Sequence, residues 1–377
     1  MTRVDAAIVG AGIVGAACAD QLTQAGLSVA VFDPSPAGGT TAAGMGHVLV
    51  VDEDPALHVL TQRGRALWER VHAELPAAAQ WDPAGTLWVA TDDQELEQAH
   101  AMARARMSRA EVLTARDVHR AEPNLAEDVV GALFVPGDRT LYPPAAAHWL
   151  LMRAQARGAT VFREAVAHID GTRLRTRNGS RLDAEAVVLA TGSAVELLPR
   201  HLGCALRPRK GHLAITRRYP GFLRHHVAEL GYFASTDPSK TESIAFNVQP
   251  RVTGQILIGA TRQLGNLDPA VDRGLVARMF ARALRFMPDL QTLDVLRVWT
   301  GVRPATADKR PLIGPVPDHR GLHVAIGHEG LGITTALATA ELVRAGVLGS
   351  QAPIDPSPYL PARLEVSPVG TQWRTSA

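Results

Sequence analysis

The sequence predicts an α/β fold, α+β overall, in which a nucleotide-type parallel-sheet domain is interleaved with an antiparallel-sheet domain. Three observations carry this. Residues 4–33 read as strand, glycine turn, helix, strand; the last third of the chain returns to glycine-rich segments; and the stretch 205–300 between them alternates short strands and loops around one helix. A chain of 377 residues accommodates about two domains. Because segments of the two kinds alternate, both domains are discontinuous: 1–80, 140–204 and 301–377 form one, 81–139 and 205–300 the other.

In order, Val4–Val9 is a short apolar strand, Ala16–Ala25 has helical composition and is stopped by Gly26, and Leu27–Phe32 is a second strand ending at Asp33. A Gly- and Thr-rich loop follows, and a helix runs from about Pro55 to Leu75, with Leu57, Leu60, Leu67 and Val71 on one face. Strands are expected at Thr86–Ala90 and Ala132–Val135, and a helix at 143–157 behind Pro143-Pro144. Leu213–Thr216, Ser243–Val248 and Gln255–Gly259 read as strands and about 270–286 as a helix. Val324–Gly332 then leads into a final helix through Leu342.

Composition excludes several function classes. Thirty-nine basic residues oppose thirty-seven acidic ones, so there is no basic stripe for a phosphate backbone and no nucleic acid is expected. Two cysteines, Cys18 and Cys204, are too few for a disulfide framework, a metal site or an iron–sulfur cluster, and suit a cytoplasmic setting. Arg3 and the apolar run Ala6–Ala19 imitate a signal peptide, but Asp5 and three glycines interrupt the imitation. Charged residues break every other apolar stretch, so no integral membrane segment is expected.

The most specific local motif is Gly10-Ala-Gly12-Ile13-Val14-Gly15, which follows a strand and opens a helix. Gly10 permits the tight turn, Gly12 lets the backbone approach a pyrophosphate, and Gly15 lets the helix pack on the strand. Asp33, at the end of the second strand, can accept hydrogen bonds from ribose hydroxyls and repels a 2′-phosphate. This Rossmann-like fingerprint does not separate NAD from FAD. Ala190-Thr191-Gly192, after an apolar strand, is similar to the second flavin-contacting strand end of FAD oxidoreductases.

Three further segments carry a resemblance. They are Gly39-Thr-Thr-Ala-Ala-Gly44-Met45-Gly46-His47; Gly301-Val-Arg303-Pro304-Ala-Thr306-Ala-Asp308-Lys-Arg-Pro311-Leu-Ile313-Gly314; and Gly327-His328-Glu-Gly330-Leu-Gly332-Ile-Thr334. Along nearly its whole length the chain resembles the FAD-dependent D-amino acid oxidase, glycine oxidase and sarcosine oxidase family. The second segment matches the glycine oxidase pattern G-x-R-P-x-T-x-D-x-x-P-x-I-G at every fixed position. The first and third look most like β subunits of D-hydroxyproline dehydrogenases.

The resemblance implies non-covalent FAD and a D-amino acid oxidase-like antiparallel-sheet substrate domain. Cofactor contacts are implied at Gly10, Gly12, Ile13, Val14, Gly15 and Asp33; at Thr40, Thr41, Ala42, Gly44, Met45 and Gly46; at Val166, Thr191, Gly192 and Gly301; and at Gly330, Leu331, Gly332, Ile333 and Thr334. The implied reaction oxidises the C–N bond of a D- or secondary amino acid, D-hydroxyproline or D-proline in type. Hydride passes from Cα to flavin N5 and leaves an imine. The alternatives are a glycine or sarcosine oxidase using O2 and a non-catalytic FAD-binding electron-transfer subunit. A dehydrogenase of this kind implies a small iron–sulfur partner subunit, since this chain cannot hold a cluster.

The chemistry needs a cation for the substrate carboxylate, and Arg303 suits it, because a guanidinium binds carboxylate through two parallel hydrogen bonds. The helix opening at Gly330–Thr334 can stabilise negative charge on the reduced flavin ring. No general base is needed if the amine is neutral. His47 and His328 either touch flavin or substrate or are structural. Two departures stand out. Glycine oxidases carry an Arg at the place of Gly330, and a Tyr that precedes the family's strand end corresponds to Phe246, with Arg251, Tyr232 or His47 to compensate.

Overall fold

The computed structural model describes residues 2–49, 54–106, 110–231 and 241–364. Its first sheet runs in the order β17 (Leu312–Pro315), β18 (Leu322–Ile326), β11 (Arg181–Leu189), β1 (Thr2–Val9), β2 (Val29–Phe32), β8 (Thr160–Phe162). The pairs from β18 to β8 are parallel. Antiparallel β17 pairs with β18, and β10 (Arg173–Thr176) with β9 (Val166–Asp170) hangs from β11. β2 is buried at every residue, as a parallel strand covered on both faces must be.

One face of this sheet carries the helices Ile13–Gln24, Pro143–Ala156 and Gly332–Leu348, with Pro55–Val71 packed on the last. Small residues let them approach. Ala16, Ala17 and Ala19 are fully buried, and a Cβ at Gly64 would lie 2.1 Å from the Thr334 carbonyl oxygen. Trp68 fills the layer and donates from Nε1 to the Ile333 carbonyl at 2.9 Å.

The second sheet has the order β16 (Val295–Thr306), β12 (Leu206–Thr216), β15 (Ile256–Leu264), β14 (Glu242–Pro250), β13 (His226–Glu229), β4 (Thr86–Ala90), β6 (Gly131–Val135), β5 (Glu111–Thr114). Every pair is antiparallel except β13 with β4. The amphipathic helix Arg273–Phe286 covers one face and buries Leu275, Val276, Met279, Ala283 and Phe286. A short ribbon of β3 (His47–Val48) and β7 (Arg139–Thr140) lies apart from both sheets.

Two expectations need correction. β16 runs through the expected boundary at 300/301, so Gly301–Thr306 belongs to the second sheet. Gly301 is a strand residue packed against the Gly39–His47 segment, with Ala43 Cβ only 2.4 Å from where its own Cβ would be. Secondly, one helical segment, Glu329–Leu348, is long and apolar enough to cross a membrane despite Glu341 and Arg344. Its most apolar window is 67% buried among neighbouring helices, which explains the apolar composition as that of a core helix.

Candidate active site

A cavity of about 430 Å³ lies between the two sheets and gathers four of the glycine-rich segments. At its nucleotide end, Gly10 leaves β1 with φ of 104°, and a Cβ there would sit 2.3 Å from the Ala190 carbonyl oxygen. Gly15 presses its helix on the turn, with a would-be Cβ 1.9 Å from the Gly10 carbonyl oxygen. Gly12 at the N-cap has no side chain of its own to cap the helix; Thr41 Oγ1 takes the Ile13 N–H, and the positive end of the helix faces the cavity. Asp33 accepts from Ala11 N at 2.6 Å and from Ser35 N at 2.7 Å, so the carboxylate braces the turn. It also lines the cavity.

The next wall is the segment Gly39–His47, a helical turn over Gly39–Ala43 that leads into β3 and not the all-loop segment expected, tied to the helix Ile13–Gln24 and to β16. Thr41 Oγ1 accepts from Ile13 N at 2.9 Å, Thr40 Oγ1 donates to the Val302 carbonyl at 2.9 Å, and Trp299 Nε1 donates to the Ala43 carbonyl at 3.3 Å. Gly46 has φ of 99°, and a Cβ there would lie 1.9 Å from the Leu141 carbonyl oxygen. The segment is held to the fold at each end and along its length.

The far wall is built from β16, β12, β15 and the segment before the last helix. Arg303 reaches across Gly211 to donate from Nη1 to the Thr261 carbonyl at 3.1 Å. Glu329 lies beside it with φ of 47° and accepts from Arg209 at 3.3 Å and Arg262 at 3.4 Å. Burial pushes the Glu329 carboxyl up, but Arg262, Arg209 and Arg303 outweigh it and keep it ionised. The following helix starts at Gly332 without a side-chain cap, so its positive end also faces the cavity.

His47 and His328 also line the cavity, and His226 lies behind His47. The His47 and His226 rings pack at a 34° tilt with centroids 3.8 Å apart. Burial, helped by His226 and Arg251, holds His47 well below the usual histidine range. Burial takes His226 down to about 4 despite its hydrogen bond to Asn247, and takes His328 to about 4. His328 Nε2 meets Thr339 Oγ1 at 3.0 Å. Among the described residues that line the cavity, Arg303 is the one guanidinium or ammonium group, and burial disfavours charge on these histidines.

Of the residues anticipated from sequence, the cavity brings together Gly10, Gly12, Ile13, Val14, Asp33, Thr40, Thr41, Gly44, Met45, Gly46, His47, Thr191, Gly192, Gly301, Arg303, His328, Gly330, Gly332 and Ile333. Gly15, Ala42, Leu331 and Thr334 stand next to it in the chain without lining it. Val166 packs in the apolar layer of the first sheet. Phe246 is displaced from the site: strand alternation turns it to the opposite face, where it stacks on Phe286 at 4.6 Å, and sends Asn247 to the cavity instead. Arg251 holds backbone, donating to the Leu141 carbonyl at 3.1 Å and the Met45 carbonyl at 3.4 Å. Tyr232 lies outside the described residues. Sequence reasoning missed Gly211, Asn247, Ala260 and Glu329; Glu329 alone sat inside a quoted motif.

These features fit FAD. Two helix N-termini face one cavity, glycines stand where a Cβ would strike backbone or the Gly39–His47 segment, and an acid ends the second strand. Comparison with known proteins agrees. A family model described as DAO, FAD dependent oxidoreductase, matches residues 5–345. Glycine oxidase of Geobacillus kaustophilus is 30% identical over 377 residues, covering 95% of this chain and 96% of that protein. Hydrogen cyanide synthase subunit HcnC of Pseudomonas aeruginosa is 27% identical over 422 residues, covering 97% of each. The crystal structure of L-proline dehydrogenase from P. horikoshii superposes with a TM-score of 0.85 at 21% identity over 97% of this chain and 98% of that one, which shows a shared fold.

Proposed function

The chain belongs to the DAO family of FAD-dependent oxidoreductases, and from that premise we propose that it oxidises the C–N bond of a D- or secondary amino acid of the D-hydroxyproline or D-proline type. The observation that carries this reading is Arg303, laid across Gly211 in the wall of the cavity that also receives both helix N-termini. FAD, when bound, supplies the acceptor for the hydride that leaves Cα as the C–N single bond becomes an imine. Arg303 holds the carboxylate and so fixes which hydrogen of Cα is presented. The Gly332 helix end stabilises negative charge arising near it. If the substrate binds with its amine already neutral, having given its ammonium proton to water, hydride leaves without a proton-abstracting residue, and the iminium so formed passes its N–H proton to water to give the imine.

Kinship with a glycine oxidase at 30% identity supports a second reading, oxidation of glycine or sarcosine with O2 as acceptor. For the leading reading we further propose a cytoplasmic setting and a small iron–sulfur partner that takes the electrons. The first rests on two free cysteines, the second on the resemblance of Gly44–His47 and His328–Thr334 to β subunits of D-hydroxyproline dehydrogenases, together with two cysteines being too few for a cluster in this chain. The test is a panel of D-proline, D-hydroxyproline, sarcosine and glycine, mixed with the flavoprotein with and without oxygen. Fastest anaerobic reduction by the cyclic D-amino acids, with slow reoxidation by O2, supports the leading reading. Fastest reduction by glycine or sarcosine, with rapid O2 consumption, selects the second.

A further inference from the structure

Asn247 borders the cavity from β14 while only 3% exposed. Its Oδ1 faces His226 Nε2 at 2.8 Å, and His226 Nδ1 meets Thr86 Oγ1 at 3.1 Å. A carbonyl oxygen only accepts, so the proton of this imidazole sits on Nε2, and bare Nδ1 accepts from the Thr86 hydroxyl. Thr86, on β4, thus orients the ring, and the ring orients the amide. The arrangement leaves the two N–H groups of Asn247 Nδ2 at the cavity that Asn247 lines, with no hydrogen bond from them to any described residue.

The sheet register places this amide relative to Arg303. Arg303 donates to the Thr261 carbonyl, Asn247 pairs with Gly259, and Thr261 lies two residues farther along β15. Two residues along a strand and one strand across put the Cα atoms of Asn247 and Thr261 roughly 8 Å apart, with the guanidinium held at the Thr261 carbonyl. A small cyclic amino acid spans that gap with a hydrogen bond at each end: its carboxylate on the guanidinium, and the far side of its ring against the amide. His47, packed on His226, brings no charge to that end of the cavity.

We propose that Asn247 is a specificity residue whose amide N–H groups, aimed by the His226–Thr86 relay, donate to a neutral acceptor, a hydroxyl, on the side chain of a substrate bound through its carboxylate. Asn247 touches the substrate; His226 and Thr86 are positioning residues that act through it. The proposal rests on the carboxylate role of Arg303 and concerns what the site selects, not which bond it oxidises. An unsatisfied buried amide is costly, so a ligand lacking the acceptor is disfavoured by more than the loss of one contact.

The experiment uses two ligands without an amine, cyclopentanecarboxylate and 3-hydroxycyclopentanecarboxylate, titrated into the FAD-loaded protein and read from the shift of the flavin absorbance. Neither can be oxidised at a C–N bond, so the subsite is measured even if no amino acid reduces the flavin, an outcome that would count against the proposed reaction alone. The proposal expects one hydroxylated isomer to bind about tenfold tighter than the parent acid, a preference that Asn247→Leu removes. His226→Phe should remove it too while the protein keeps its flavin. Equal binding of parent and hydroxylated acids by the unaltered protein, or a preference that survives Asn247→Leu, overturns it.

Discussion

The Arg303 guanidinium lies so close over Gly211 that a Cβ at residue 211 would stand 2.3 Å from Nη1. The obstacle is the end of a flexible side chain, so Gly211→Ala should displace the guanidinium rather than unfold the sheet. The expected outcome is a KM for the amino acid raised about tenfold, with flavin content unchanged. Steady-state kinetics on the flavin-loaded variant check it; an unchanged KM would remove the cradle from the account.

Gly12 tests the nucleotide end. A Cβ there would lie 2.9 Å from Thr41 Oγ1, the atom that accepts from Ile13 N. Gly12→Val should break that tie and fill the approach to the helix N-terminus, giving a protein purified without flavin. A folded, fully yellow variant would refute the fingerprint assignment.

Glu329 should show two opposed effects. Glu329→Gln removes a carboxylate held by Arg209 and Arg262 and lying near Arg303. Loss of these charge-assisted bonds should lower stability by about 1–3 kcal/mol, measurable by denaturant unfolding. The same change removes negative charge from beside the substrate carboxylate and should tighten binding of simple carboxylates. Weaker carboxylate binding would mean that Glu329 serves the ligand directly.

The buried histidines predict a pH dependence of stability. His226 and His328 each fall to about 4 from the ordinary 6.5 because burial disfavours the charged ring. Between those values the unfolded chain binds protons that the folded chain does not, so stability falls as pH drops from 6.5 towards 4 and the loss levels off below. Each contributes roughly 3 kcal/mol to that loss. His328→Gln should flatten the slope of melting temperature against pH in this window; a slope unchanged by the substitution contradicts the burial argument.

Much of the architecture was legible because it depends on local rules. Strand, glycine turn, helix and acid fall within residues 4–33, so periodicity and backbone freedom read them directly. Arg303 was legible from a dense motif. Asn247 was not: Phe246 stands out by its correspondence to the family's Tyr, and only the alternation of β14 in the folded sheet shows that Asn247 is the neighbour turned to the cavity. The triad of Arg209, Arg262 and Glu329 comes from three distant strands and turns, and only pairing of β12 with β15 and β16 assembles it. Gly211 looked like any glycine until the Arg303 side chain was seen to cross it.

The most direct test of the central claim is anaerobic reduction of the bound flavin by cyclic D-amino acids, followed as loss of its visible absorbance in the unaltered protein and in Arg303→Leu. The account predicts rapid bleaching of the first by D-proline or D-hydroxyproline. In the variant, which keeps its flavin, it predicts an apparent rate constant per substrate concentration at least about tenfold lower. Bleaching at equal rates in the two proteins, or full flavin occupancy with no bleaching by any of these amino acids, would contradict it.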